Sequence, residues 1–177
     1  MTQAASSAAK IDYDLEDCIV RFKDLPKRRS TFQPLDTKVP KYERERYSVV
    51  GRGAEGTTKG KKTAEVKDFS IVYVKLDPGK AIGTHAHATS EVFLPLTGRW
   101  EVGINGQTTI LEPFDVISVP PNVMHSLVNV GDEPAFLMAV NAGGAGAPIQ
   151  WAREVLDEVR AAGNHVSEME NPPAEVR

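Results

Sequence analysis

The central part of the chain alternates short apolar runs with turn signals. The runs are four to eight residues long and rich in β-branched or aromatic side chains, which is typical of strands buried on one face. They lie at 69–76, 91–96, 100–104, 108–111, 116–119, 126–130 and 135–141. Asn105-Gly106 separates two of them with residues that tolerate positive φ, a strong hairpin signal. Because no helical pattern interrupts the runs, they predict an all-β antiparallel sandwich or barrel.

The two ends of the chain carry different patterns. Residues 1–47 are polar and mixed in charge, with three spaced prolines, and we expect an extended arm that adds edge strands. After the break NAGGAGAP at 141–148, apolar residues recur at helical spacing, at Ala152, Val155, Leu156, Val159 and Ala162. The prediction is therefore an arm at 1–47, a barrel at 48–142, a linker and C-terminal helix at 143–163 ending at Gly163, and a polar tail at 164–177.

Composition and charge narrow the function class. With 41% hydrophobic residues and a net charge of -3, the chain is an ordinary globular protein, and neither nucleic acid nor a membrane is expected as its partner. No apolar run approaches the ~18 residues of a membrane helix, and MTQAASSAAK lacks the features of a secretory signal. The single cysteine, Cys18, is expected to be half-buried and inert, and it is compatible with a reducing cytoplasm.

Three histidines and one glutamate fall in the strand-rich region at informative spacing. His85 and His87 are two residues apart, so on a strand they share a face, and Glu91 keeps that parity if its strand continues or resumes after a turn. His125 follows 34 residues after Glu91, at the start of another apolar run. Three neutral imidazoles and one carboxylate suit one divalent ion of Fe, Mn, Ni, Co, Cu or Zn. An octahedral ion so held keeps two positions open for water, substrate or dioxygen.

These residues resemble the two sequence motifs of the cupin superfamily. Gly79–Gly98 matches the first motif, G(x)5HxH(x)3-4E(x)6G, at every fixed position. Phe114–Asn129 resembles the second, G(x)5PxG(x)2H(x)3N, with Pro120, His125 and Asn129 in place. Phe114 and Asn122 replace its two glycines; Asn tolerates positive φ well, so Phe114 is the larger departure.

The resemblance covers about residues 69–141 and implies a small single-domain bacterial cupin. Its fold would be a jelly-roll barrel, also called a double-stranded β-helix, with His85, His87, Glu91 and His125 as ligands of one metal ion. It also implies a homodimer in which an arm such as 1–47 adds a strand to the partner's sheet. Phe93 shares the parity of Glu91 and Trp100 lies on the next strand, so both are candidates for the wall of the metal pocket.

A glycine-rich pattern before the barrel resembles a dinucleotide-binding motif but does not predict such a site. Gly51–Gly56 spells GxGxxG, but TTKGKKTAEVK follows it without an apolar helical period. A dinucleotide site needs a helix directly after the glycines, so none is predicted here.

The site suggests two functions of different class. The first is an enzyme acting on a small oxygenated substrate, with dioxygenase-type chemistry favoured and isomerase, lyase or decarboxylase chemistry as other possibilities. The second is a non-catalytic module that binds or senses a small molecule through its metal. An open metal position is what catalytic sites keep, which favours the enzyme. A DNA-binding regulator is disfavoured because no helix-turn-helix pattern flanks the barrel.

Overall fold

A computed structural model describes residues 18–25, 28–29, 39–51, 66, 68–143 and 149–170. In chain order its strands are β1 (Arg28–Arg29), β2 (Glu45–Val50), β3 (Phe69–Leu76), β4 (Ala81–His87), β5 (Glu91–Pro95), β6 (Trp100–Ile104), β7 (Gln107–Leu111), β8 (Ile117–Val119), β9 (His125–Asn129), β10 (Ala135–Ala142) and β11 (Ile149–Trp151). Two helices follow, α1 (Arg153–Ala161) and α2 (Ser167–Glu170). None of the helices in these ranges is long and apolar enough to cross a membrane.

The strands form two antiparallel sheets that face each other. One has the order β1-β2-β3-β10-β5-β8, and the other has the order β11-β4-β9-β6-β7. From β3 to β6 and from β7 to β11 the chain changes sheet at every strand, so most neighbouring strands in a sheet are distant in sequence. This is the jelly-roll arrangement, and the predicted all-β barrel is confirmed.

The core fills the space between the two sheets. Side chains alternate along each strand, so that every second residue of β3 points inward and is buried. Leu76, Trp100, Leu127 and Leu137 are fully buried there, and each such apolar side chain contributes about 1.5–3 kcal/mol. The indole Nε1 of Trp100 donates a hydrogen bond to the carbonyl of Thr97 at 2.9 Å, so its polar atom is satisfied. This packing holds the strands that carry the candidate ligands.

The described strands of the N-terminal arm belong to the larger sheet, whereas Val39 and Tyr42 pack beside the C-terminal helix on the smaller one. β1 pairs with β2, and β2 pairs with β3, so this part of the arm extends its own sheet. Phe22 packs on the outer face, with ring centroids 5.0 Å from Tyr47 and 5.6 Å from Phe136. Cys18 is exposed rather than half-buried. The arm's remaining residues, 1–17, 26–27 and 30–38, lie outside the described ranges.

The C-terminal helix packs on the outside of the smaller sheet. Ala152, Val155 and Val159 of its predicted apolar face are buried against β4 and β11, whereas Ala162 is exposed. Gly163, with φ of +81°, follows the helix as its position predicted. In the segment assigned to the polar tail, Val166 and Met169 are buried in the same cluster, and α2 forms between 167 and 170.

Candidate metal centre

A β-bulge in β4 turns the histidines into the barrel. Ile82 pairs with Leu127 and His85 pairs with His125. Between these two pairs, β4 therefore contains one residue more than β9. Ile82 and His85 therefore both face inward although their separation is odd. His87, two residues further on, keeps that inward direction.

Glu91 reaches the site from the opposite sheet. It is the first residue of β5, and it pairs with Val119 on one side and Asn141 on the other. The strand does not continue from β4 but resumes after a turn in the facing sheet, so the carboxylate meets the imidazoles across the barrel. His87 ends β4, Glu91 begins β5 and His125 begins β9, which places all of them at one end of the barrel.

Three of the four candidate ligands converge. One ligand atom from each of His85, Glu91 and His125 lies within 4.8 Å of the other two, and all three side chains are buried. Nδ1 of His85 lies 2.8 Å from the carbonyl oxygen of Gly83, and Nδ1 of His125 lies 2.9 Å from that of Val123. A carbonyl only accepts, so each Nδ1 carries a proton, and in the neutral imidazole each Nε2 then presents a lone pair. This tautomer leaves Nε2 available to a metal ion.

A buried pair of acceptors shows that these residues fit a cation. Nε2 of His125 lies 3.0 Å from Oε2 of Glu91, yet neither atom has a hydrogen-bond partner, and both are shielded from solvent. Two lone pairs facing each other in a buried site are unfavourable, at about 1–3 kcal/mol for each unsatisfied atom. A divalent ion bound by both atoms and by His85 removes this penalty.

The charge state of His85 agrees with that role. Burial lowers the pKa of His85 well below its usual value, and the neighbouring His125, His87 and Arg44 lower it further. Its imidazole is therefore neutral at neutral pH, which is the form that coordinates a metal.

His87 stands beside the converging trio. Its Nε2 lies 3.5 Å from Oε1 of Glu91, and its ring centroid lies 5.1 Å from that of His85 and 6.4 Å from that of His125. It lines the same cavity but is not one of the three groups within 4.8 Å of one another. Its place as the fourth ligand stays a prediction.

Three of the candidate ligands, His85, His87 and Glu91, form part of the wall of a cavity of about 50 Å³, and His125 is not among the residues described as lining it. Its apolar wall includes Val72, Val74, Ile82, Phe93 and Ala139. Phe93 lines the cavity, as its shared parity with Glu91 predicted, and its ring centroid lies 5.4 Å from that of His125. Trp100 lies in the core and is not among the residues described as lining the cavity. Trp151 lines it instead, with its ring centroid 5.3 Å from that of His85.

Sequence reasoning missed two charged residues of this wall. Arg44 and Arg46 line the cavity, and each is only 6% exposed. They fall in the segment assigned to the polar arm, where an Arg-Glu-Arg run reads as solvated surface. The usable signal was their spacing, because two residues apart on a strand share one face. Asn141, which pairs with Glu91, was missed as well.

The two residues that replace motif glycines adopt the left-handed backbone conformation that glycine favours. Phe114 has φ of +74° and Asn122 has φ of +62°, both in the left-handed region. The backbone N–H of Asn122 donates to the carbonyl of His87 at 2.7 Å, so the turn before β9 is tied to the end of β4. The turn therefore keeps His125 beside His85 without a glycine.

Comparison with known proteins agrees with this architecture. Residues 72–141 match the family model described as cupin domain. Among curated proteins, "Polyketide synthase CurC" of Streptomyces cyaneus is 39% identical over 59 residues, which is 33% of this chain and 38% of that protein's length. The matched segment thus spans well under half of that relative.

Two solved structures show the same fold. A predicted oxalate decarboxylase from Thermotoga maritima is 22% identical with a TM-score of 0.56, and the match covers 71% of this chain and 98% of that one. An RmlC-like cupin from Shewanella frigidimarina NCIMB 400 is 18% identical with a TM-score of 0.50, covering 77% and 93%. At these identities the likeness concerns the barrel alone.

Proposed function

We propose that this chain, whose residues 72–141 match the cupin-domain model, is a metal-dependent enzyme acting on a small oxygenated compound. One observation carries the proposal: His85 and Glu91, whose ligand atoms converge with that of His125, both line a cavity. Structural metal sites are enclosed by their ligands, whereas catalytic sites keep a side open to a substrate.

The residues around the site have distinct tasks. Nε2 of His85, Nε2 of His125 and a carboxylate oxygen of Glu91 are the proposed ligands, with His87 as the fourth. The carbonyls of Gly83 and Val123 hold the two imidazoles in the binding tautomer. The apolar wall of Val72, Ile82 and Phe93 keeps bulk water from the reacting groups. When bound, a divalent ion supplies Lewis acidity to a substrate oxygen and, if it is iron or manganese, redox chemistry with dioxygen.

The composition of the wall favours oxygenation among the reaction classes. Isomerisation and most lyase reactions need a separate acid or base near the substrate. Of the described residues that line the cavity, those of a type that commonly serves as a general acid or base are the candidate ligands His85, His87 and Glu91 themselves. Dioxygenase-type chemistry needs no additional proton donor, so we place it first, with decarboxylation of a small acid second.

Metal analysis and oxygen uptake test the proposal. The protein is purified without added metal, its ion is identified by elemental analysis, and oxygen consumption is followed with catechols, enols and 2-oxo acids. We expect His125→Ala to lose both ion and turnover while its circular dichroism is unchanged. His165→Ala is the matched control, because His165 is exposed and far along the chain from the barrel.

Two outcomes would count against the enzyme. Turnover that persists in His85→Ala and His125→Ala would separate the activity from this site. Micromolar binding of a compound, without turnover of any member of the panel, would identify a metal-dependent binding module instead.

We further propose a cytoplasmic homodimer. The single cysteine is compatible with a reducing compartment. Apolar rings of Phe22, Tyr47, Tyr73 and Phe136 cluster on the outer face of the larger sheet, and Phe22 is 48% exposed. Sedimentation of a chain without residues 1–38 tests the arm: an unchanged dimer would exclude it as the main contact, and a monomer would support it.

A further inference from the structure

Two buried arginines share the cavity with the candidate metal ligands. Arg46 lies on β2 and Arg44 directly before it, so the two side chains leave the same face of an extended segment. Arg46 pairs with Val74, whose side chain also lines the cavity. Arginines are rarely this buried, at 6% exposure each, unless a structural or binding role requires it.

The cavity therefore has a positive lining. Of the described residues around it, Glu91 is the one carboxylate, whereas Arg44 and Arg46 contribute two permanently charged guanidinium groups. A divalent ion held by Glu91 and the histidines would add to this positive charge. Such a lining attracts an anion and disfavours a cation or a neutral compound that cannot repay the lost hydration.

The shape of the guanidinium group indicates which class of anion would fit the cavity. Arginine presents a planar fork of N–H donors that matches the two oxygens of a carboxylate. The cavity of about 50 Å³ has room for only a few water molecules, each of which needs about 10–15 Å³. A small compound fits, and the adjacent Val72, Ile82 and Phe93 suit a short apolar part.

Building on the proposed function, we propose that Arg44 and Arg46 form a carboxylate-binding subsite beside the metal centre. The substrate class is a small acid whose second oxygen, in a 2-oxo, 2-hydroxy or second carboxylate group, faces the metal ligands while its carboxylate faces the arginines. The metal ligands then serve the reaction, and the arginines select the substrate and orient it.

Calorimetric titration of the protein with its own metal tests the subsite without measuring turnover. The probes are matched pairs that differ in charge: pyruvate against pyruvamide, and oxalate against oxamide. We expect an acid to bind at least tenfold more tightly than its amide. Arg44→Gln and Arg46→Gln should each weaken acid binding at least tenfold and leave amide binding and metal content unchanged.

Control variants separate this effect from general damage. Arg99→Gln removes an exposed arginine whose partner is Glu112 on the surface, and it should bind the acids as the unaltered protein does. Arg44→Lys and Arg46→Lys keep the charge but lose the fork, and intermediate affinity is expected. If a glutamine variant unfolds, the subsite is tested by the lysine variants and by comparing acid with amide binding in the unaltered protein.

The subsite and the enzyme can fail separately. Equal binding of acids and amides, no binding of any acid, or full acid affinity in folded Arg44→Gln and Arg46→Gln would overturn the subsite while leaving a metal-dependent reaction on a neutral substrate. Arginine-dependent binding of acids without any turnover would support the subsite and overturn the enzyme.

Discussion

The approach of His125 to Glu91 is the single contact with most consequence for the site. Both atoms, at 3.0 Å, are buried acceptors without a hydrogen-bond donor. Phe93, two residues after Glu91 on β5, packs against His125 with ring centroids 5.4 Å apart and so helps to hold the pair together. Metal affinity and metal-free stability are therefore expected to oppose each other at this pair.

Glu91→Gln tests that opposition. The amide can donate to Nε2 of His125, so the metal-free variant should be more stable than the unaltered chain by about 1 kcal/mol. Loss of the anionic ligand should weaken metal binding by at least about 100-fold. Urea unfolding in a chelator and metal titration measure the two effects. Glu112→Gln, an exposed surface carboxylate, is the control, and unchanged metal affinity in Glu91→Gln would contradict the assignment.

Phe114 is a second residue whose backbone carries an energetic penalty. Its φ of +74° is disfavoured for a side chain with a Cβ, and its ring is 76% exposed, so little packing compensates. Phe114→Gly is expected to stabilise the fold by about 1 kcal/mol, measured by urea unfolding. Asn122→Gly is the matched control and should change stability less, because Asn tolerates φ of +62° better. Destabilisation by Phe114→Gly would show that the ring makes a contact the fold needs.

At the scale of elements, the bulge in β4 links the metal centre to the packing outside the barrel. Gly83 lies in the bulge, and its carbonyl accepts the hydrogen bond from His85. A Cβ on Gly83 would lie 2.9 Å from Cε1 of Tyr42 and 3.2 Å from Cγ2 of Val155. The same short segment thus orients His85 on one side and packs against Tyr42 and α1 on the other.

Gly83→Ala is expected to disturb both sides at once. The added methyl overlaps an aromatic ring fixed by packing, which should destabilise the fold by about 1–3 kcal/mol. A shift of the Gly83 carbonyl should also weaken metal binding through His85. Gly103→Ala is the comparison, since its Cβ would meet only the hydroxyl of Ser126, which can rotate away. Equal stability and metal affinity in both variants would contradict the coupling.

At the scale of the whole molecule, one polar contact joins the N-terminal segment to the C-terminal helix. Glu158 on α1 accepts hydrogen bonds from Tyr42 at 2.7 Å and from Lys41 at 2.5 Å. Burial raises the pKa of Glu158, but the hydrogen bonds from Lys41 and Tyr42 outweigh it and lower the pKa below its ordinary value of 4.5. Folding therefore favours the ionised carboxylate.

This contact predicts a pH-dependent contribution to stability. Because the folded pKa is the lower one, the contribution is complete above pH 4.5 and is lost as the pH falls through the folded pKa. Glu158→Gln should be less stable than the unaltered chain near pH 7, and the difference should shrink below pH 4.5. Urea midpoints from pH 7 to pH 3 measure it, with Asp157→Asn as the neighbouring control. A difference that stays constant over this range would contradict the assignment.

The sequence predicts what depends on local pattern and leaves out what depends on long-range pairing. Period-two runs and turn signals were enough for an antiparallel sandwich or barrel, because each strand is short and bounded by its own turn. The jelly roll was implied by the resemblance to the cupin motifs. The candidate ligands followed from motif spacing. The inward direction of Arg46 could not be predicted, since it depends on its pairing with Val74 across 28 positions of the chain. The position of Glu91 in the sheet that faces β4 could likewise not be predicted from local sequence, because it depends on how the strands assemble.

Arg44 and Arg46 lie upstream of the segment 72–141 that matches the cupin model. In the proposed function, reactivity and selectivity would thus be encoded in separate stretches of one polypeptide. Exchanging residues 44–50 for the equivalent strand of another barrel offers a route to new substrates in which the candidate metal ligands keep their identity and the contacts of Lys41 and Tyr42 with Glu158 are retained.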